Sequence, residues 1–123
     1  MMEGLLEVLR SAQKVAEEAE VYSVSSRAMP IQFEANELKQ VQTKESSGTA
    51  LRIFRDGRIG FATASGGGDV EALVDMAVET SQFGSPAGFQ FPSSQDYSEV
   101  RIFDPKVEEI AMERMVEIGK ELI

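Results

Sequence analysis

Apolar positions near the N-terminus recur at intervals of three and four. Leu5, Val8, Leu9, Ala12, Val15, Ala16 and Ala19 share one side of a helical wheel, and Glu7, Arg10, Lys14, Glu17 and Glu18 fall largely on the other. This period predicts an amphipathic helix over residues 3–19, packed on a sheet. A membrane-surface helix would want a basic polar face, and this one is mixed in sign. From Val21 the period changes. Val21, Ser23 and Ser25 alternate with Tyr22, Val24 and Ser26, which suits a strand with both faces partly covered. Pro30 removes a ladder donor and marks an edge, a bulge or a bend between two strand halves. Glu34-Ala35-Asn36-Glu37 reads as a turn in which Asn36 takes the left-handed conformation. Leu38 to Lys44 fits a short helix or a strand; its Val, Gln and Thr content favours the strand.

Ser46-Ser47-Gly48 is a loop signal. A hairpin follows. Ala50, Arg52 and Phe54 face one way, and Leu51, Ile53 and Arg55 the other. Asp56-Gly57 supplies the positive φ angles of a two-residue turn, and Arg58 to Ala64 returns. Gly60 within that return predicts a bulge or a close backbone approach. The strands thus lie within residues 20–65, and their short connections make the sheet largely antiparallel. Asp69 caps a helix over 69–83 with Val70, Leu73, Val74, Ala77 and Val78 inward, and Gly84 fits just past its end. Residues 84–99 form a long loop, pinned by Phe89 and Phe91 against something apolar, with a short strand over Val100–Phe103. Asp104-Pro105 starts a helix over 105–123. Its apolar stripe is Val107, Ile110, Ala111, Met115, Ile118 and Leu122. Glu109, Glu113, Glu117 and Glu121 form an acidic row, either a solvated face or a docking edge for a basic partner.

The fold class is therefore α+β: one domain over 1–123, with a largely antiparallel sheet of about four strands covered by amphipathic helices. A chain of 123 residues is one ordinary domain or a piece of a larger protein. It is long enough to bury roughly two-thirds of its unfolded surface. The helix that stops at Glu121-Leu122-Ile123 has no closing signal, which predicts the N-terminal part of a longer protein.

Composition narrows the chemistry. The formal charge is −9, which speaks against a nucleic-acid surface, because phosphate wants a basic face. Cysteine and histidine are both absent. Disulfides, thiol nucleophiles and zinc–thiolate sites are thereby excluded within these residues, as are the commonest general base and transition-metal ligand. No apolar run approaches the ~20 residues of a membrane span, and the N-terminus lacks the basic start of a signal peptide. The expected compartment is the cytoplasm.

Gly66-Gly67-Gly68 stands between a strand and a helix N-terminus, where backbone amides can hold a phosphate. Asp69 places a carboxylate where the anion would sit, no lysine follows, and the spacing matches no phosphate-binding fingerprint. Glu34, Glu37, Glu45 and Asp56 sit in or near turns without a calcium-loop spacing. Ser46, Ser47, Ser65 and Ser81 have no histidine to activate them. Phe33, Phe54 and Phe61, at strand spacing, read as core rather than as base-stacking platforms. Six of the twelve basic residues, Arg27, Lys39, Lys44, Arg52, Arg55 and Arg58, lie in the strand region. That polarity is ordinary surface charge, or a sheet face or edge that takes an extended acidic or neutral peptide.

The stretch AEVYSVSSRAMPIQFEANELKQVQTKESSGTALRIFRDGRIGFATAS resembles the N-terminal domain of the TldD/PmbA family, often labelled modulators of DNA gyrase. Ser47-Gly48 before LRIFRDG and the return RIGFATAS are the most specific parts. The resemblance covers residues 1 to about 83. The later VRIFDPKVEEIAMERMVEIGKELI is more similar to the PmbA (TldE-type) branch.

The resemblance implies a subunit of a two-subunit, metal-dependent peptidase. The TldD-type subunit carries a histidine–glutamate–histidine zinc motif in its C-terminal region. No ligand of that motif maps onto this histidine-free chain, so zinc is expected only in a TldD-type partner or a C-terminal region. The expected partners are a TldD-type subunit or a second copy, and a peptide substrate, with neither nucleic acid nor membrane. The domain would help wall the peptide channel and the subunit contact without being catalytic. Arg27, Gln32, Lys39, Lys44, Arg52 and Arg55 are the candidate contacts. The alternative is a stand-alone module that binds a protein through its sheet edge.

Overall fold

The computed structural model describes residues 2–123. In chain order the elements are α1 (Met2–Gln13), β1 (Glu18–Ala28), β2 (Ile31–Glu34), β3 (Glu37–Val41), β4 (Lys44–Arg55), β5 (Arg58–Ser65), α2 (Val70–Ser81), α3 (Pro105–Glu108) and α4 (Met112–Glu121). The class is α+β, with a three-stranded sheet in the order β1-β4-β5 and a two-stranded sheet of β2 and β3. The chain divides into two compact units. One holds the residues up to Ser26 together with Ser46–Ser93, and the other holds Arg27–Glu45 with Ser94–Ile123.

The first unit owns the core. Leu51 and Ile53 of β4 are completely buried and meet Val8 and Ala12 of α1 and Leu73, Val74 and Ala77 of α2. The alternation along β4 sends these two side chains to the face that the helices cover. Helix α1 ends at Gln13, six residues short of the predicted end. The Glu17 amide donates to the Phe54 carbonyl at 2.9 Å, and the chain joins the sheet from Glu18. Ala16 and Ala19 still pack on the core, from the connection after α1 and from β1. A ladder of backbone bonds to β4 outweighs the helical spacing, which short apolar runs leave ambiguous.

The Asp56-Gly57 turn is as predicted, with φ of 52° and 74°. β4 and β5 pair without slippage from Arg55↔Arg58 to Gly48↔Ser65. Ser46-Ser47-Gly48 is therefore strand and not loop. β4 is the central strand, so ladder bonds are available on both of its sides, and Gly66 N–H extends the pairing to the Ser47 carbonyl at 2.9 Å. Gly60 marks a close approach. A β-carbon there would run into the Ala77 carbonyl and lie 2.8 Å from Ser81 Cβ. Helix α2 is capped by Asp69, whose carboxylate accepts from the Glu71 amide at 3.0 Å. The helix ends at Ser81, two residues before Phe83.

In the second unit β2 and β3 form a hairpin with a register irregularity after Gln32. Both turn residues, Ala35 (φ 51°) and Asn36 (φ 63°), are left-handed. The predicted helix over 105–123 is broken into α3 and α4, with Ala111 in an extended conformation between them. Val107 and Ile110 stay largely exposed, and a short helix without tertiary burial is marginal. Val100–Phe103 forms no strand. Ile102 and Phe103 are exposed, and among the described residues no segment pairs with them. No described residue of this unit is fully buried.

Candidate functional site

Among the described residues, α1 and α2 cover the three-stranded sheet on one side only. The register sets Arg52 opposite Phe61, Phe54 opposite Ile59 and Ala50 opposite Thr63, all away from the helices. Strand β1 adds Glu20 and Tyr22 to this face. Glu20, Tyr22, Ala50, Arg52, Ile59 and Phe61 line an open depression of about 430 Å³. Tyr22 is 67% exposed and Phe61 51%. Two half-bare aromatic rings on one sheet face, beside an arginine, form the kind of surface that associates with other polypeptides.

Arg52 is the charged centre of the face. Its guanidinium pairs with Glu20 on the neighbouring strand. It also lies over the rings of Phe89 and Phe91, 5.3 and 4.9 Å from their centroids. Phe91 stacks on Phe54 at 4.1 Å, and Phe89 meets Phe54 edge-on at 5.3 Å. The apolar target predicted for Phe89 and Phe91 is thus Phe54, with the stem of Arg52. The buried Nε of Arg52 has no hydrogen-bond partner among the described residues.

The β5 edge is largely occupied. The Thr80 hydroxyl accepts from the Phe61 amide at 3.0 Å, and its proton has the Phe61 and Ala77 carbonyls within 3.0 Å. The Ile59 amide donates to the Ser85 carbonyl at 3.0 Å, and the Ala87 amide to the Gly57 carbonyl at 2.7 Å. Strand addition along Gly57–Phe61 is therefore blocked.

Of the predicted contact residues, only Arg52 lies in the depression. Arg55, half-buried, is at the turn end of the same strand. Arg27 pairs with Glu45 at 3.6 Å, and Lys39 with Glu34. Gln32 faces Gln40 across the small hairpin, and Lys44 is exposed at the start of β4. Phe61 is the correction among the aromatics. It was expected in the core, but its parity in β5 is that of Arg52's partner and not of buried Ala62. Tyr22 and Val24 were not singled out. Their signal was the alternation with Val21 and Ser23, which by itself does not say which face is bare.

In the second unit Ile31 and Phe33 of β2, Met115 and Ile118 of α4, and Leu122 just past its end line an apolar groove of about 540 Å³. The described helices include none long and apolar enough to cross a membrane.

Residues 19–81 match the family model described as PmbA/TldA metallopeptidase domain 1. Among curated proteins none matches the chain. The fold is similar to that of TldE from Thermococcus kodakarensis, with a TM-score of 0.84, 21% identity, 96% of this chain covered and 28% of that one. It is also similar to a candidate modulator of a DNA gyrase from Thermotoga maritima, with a TM-score of 0.78, 16% identity, and 98% and 28% covered. The chain therefore spans a little over a quarter of the length of these two proteins.

Proposed function

Because the chain belongs to the PmbA/TldA metallopeptidase family as its first domain, we propose that it serves a PmbA-type (TldE-type) subunit of a metal-dependent peptidase complex in the cytoplasm. Its role is to present the open face of the β1-β4-β5 sheet to an extended polypeptide or to the TldD-type subunit. That face would form part of the wall of a peptide channel. The observation that carries this reading is the pairing of Arg52 with Phe61 on a face that no helix covers. Residues 2–123 do not fit a zinc site. They include neither histidine nor cysteine, and no three carboxylates among them converge. This supports a reading in which the metal chemistry belongs to a TldD-type partner or a C-terminal region, with no catalytic step in this domain.

The test is Tyr22→Asp/Phe61→Asp in the intact subunit, co-expressed with a TldD-type subunit. Both side chains point away from the core, so the domain still folds. The expected result is loss of co-elution, or a fall in peptide hydrolysis of about tenfold or more. Unchanged assembly together with unchanged hydrolysis would rule the face out.

A second reading is a stand-alone module that takes a protein segment along its sheet edge. It is favoured by one observation: among the described residues no helix or loop hydrogen-bonds along the outer edge of β1 beyond Glu18. Binding of an extended peptide that protects β1 amides and leaves the Tyr22 and Phe61 rings untouched would select it.

A further inference from the structure

Residues 84–93 are held to the first unit in two different ways. The foot, Gly84–Ala87, is fixed by backbone. Gly84 sits so close to the Ile59 carbonyl that no β-carbon fits, and Arg58 Nη1 donates to the Gly84 carbonyl at 2.8 Å. Ser85 and Ala87 add the bonds to Ile59 and Gly57 described above. From Gly88 on, no backbone hydrogen bond to the sheet is made among the described residues. The tip is held by Phe89 and Phe91 alone, seated on Phe54 and against the guanidinium of Arg52. Phe89 remains half exposed even when seated.

We infer that Gly84–Ser93 is a strap with a fixed foot and a releasable tip, and that Arg52 is its latch. Seated, the tip covers Phe54 and lies against Arg52, a residue that lines the depression. Lifted, it uncovers Phe54 and the Nε of Arg52, and lengthens the face by one aromatic subsite. The strap itself shows which chemistry that subsite takes: an extended segment with aromatic side chains at alternate positions, beside a cation. An incoming peptide of that kind competes with the tip. The inference rests on the reading of the face as a polypeptide-binding wall, and it adds the regulation of that wall.

The probe is the strap's own sequence as a free peptide, GSPAGFQFPS, titrated into the 15N-labelled chain and into Phe89→Ala/Phe91→Ala. With the cis competitor removed, the peptide should shift the amides of Arg52, Phe54 and Phe61 and bind about tenfold more tightly than to the wild type. The peptide with both phenylalanines replaced by alanine should not bind. Equal affinity for the two proteins, or no shift on the face of a variant whose β4–β5 amides stay dispersed, overturns the inference. The second arm does not depend on that variant. In Arg52→Gln, backbone relaxation should show Gly88–Ser93 loosened and Gly84–Ala87 unchanged. A tip as rigid as in the wild type overturns the latch. Loss of co-elution or of hydrolysis in Tyr22→Asp/Phe61→Asp with an unresponsive tip refutes the strap alone. Unchanged assembly and hydrolysis in Tyr22→Asp/Phe61→Asp with a responsive tip refutes the assembly reading alone.

Discussion

Gly60 of β5 passes directly beneath the carbonyl of Ala77 in α2, leaving no space for a β-carbon between strand and helix. Ser81 Cβ and Ile53 Cγ1 close the same space, so the obstruction is backbone and packed core rather than a side chain that can swing away. Gly60→Ala must push α2 off the sheet. Overpacking of this kind costs about 1–3 kcal/mol or more. The expected outcome is a lower urea midpoint with the m-value kept. Gly48→Ala, whose β-carbon meets the Ala64 carbonyl only at an ordinary 3.6 Å, should shift it far less.

The Thr80 hydroxyl accepts from the Phe61 amide, and its one proton is shared between the Phe61 and Ala77 carbonyls. Thr80→Val keeps the shape and removes the partner. The Phe61 amide and carbonyl then turn to water or to another strand, at a cost of about 1–3 kcal/mol if they stay dry. The variant should be less stable in urea and should self-associate in analytical ultracentrifugation, because a strand edge has been opened. Thr80→Ser should restore the wild-type behaviour, and a monomeric, fully stable Thr80→Val would show that the hydroxyl seals nothing.

Ala35 carries a β-carbon in a left-handed conformation, φ 51°, next to Asn36 at φ 63°. Such a conformation costs an L-residue roughly 1 kcal/mol more than glycine. Ala35→Gly relieves it but loosens the unfolded chain, so the net gain is some tenths of a kcal/mol. Amide exchange at the β2–β3 ladder should slow by about twofold. Faster exchange would mean that the turn is not strained.

The two hairpin turns show why some of the fold was legible in the sequence. Asp56-Gly57 and Asn36 are residues that the left-handed region selects, so they announce themselves. Ala35 is not, and its conformation is imposed by the pairing of Glu34 with Glu37. The Asp69 and Asp104 caps were legible for the same local reason. The end of α1 was not, because Ala16 and Ala19 satisfy a helix and a strand equally well, and the partner strand that decides lies some 35 residues away. Ser46–Gly48 and Val100–Phe103 failed in opposite directions. The first had a ladder waiting, and the second had none. At the site, Arg52 was singled out for its charge, whereas the structure sets it in register with Phe61. The bare face is a property of which helices pack where, and no single strand records that.

Gly119 in α4 provides the last case. It gives room to the ring of Phe33, whose outer carbons occupy the space a β-carbon would fill. Two effects oppose each other in Gly119→Ala. Alanine favours the helix by about 1 kcal/mol. Against this, the Phe33 ring must move, and that ring joins α4 to β2 along the groove. The ring end is free to swing because the groove is open, so the clash is relieved by undocking rather than by unfolding. The expected outcome is equal or greater helicity by far-UV circular dichroism, with loss of the ring-current shift that Phe33 imposes on residue 119. If helicity falls and the ring shift persists, the glycine serves the helix backbone and not the Phe33 contact.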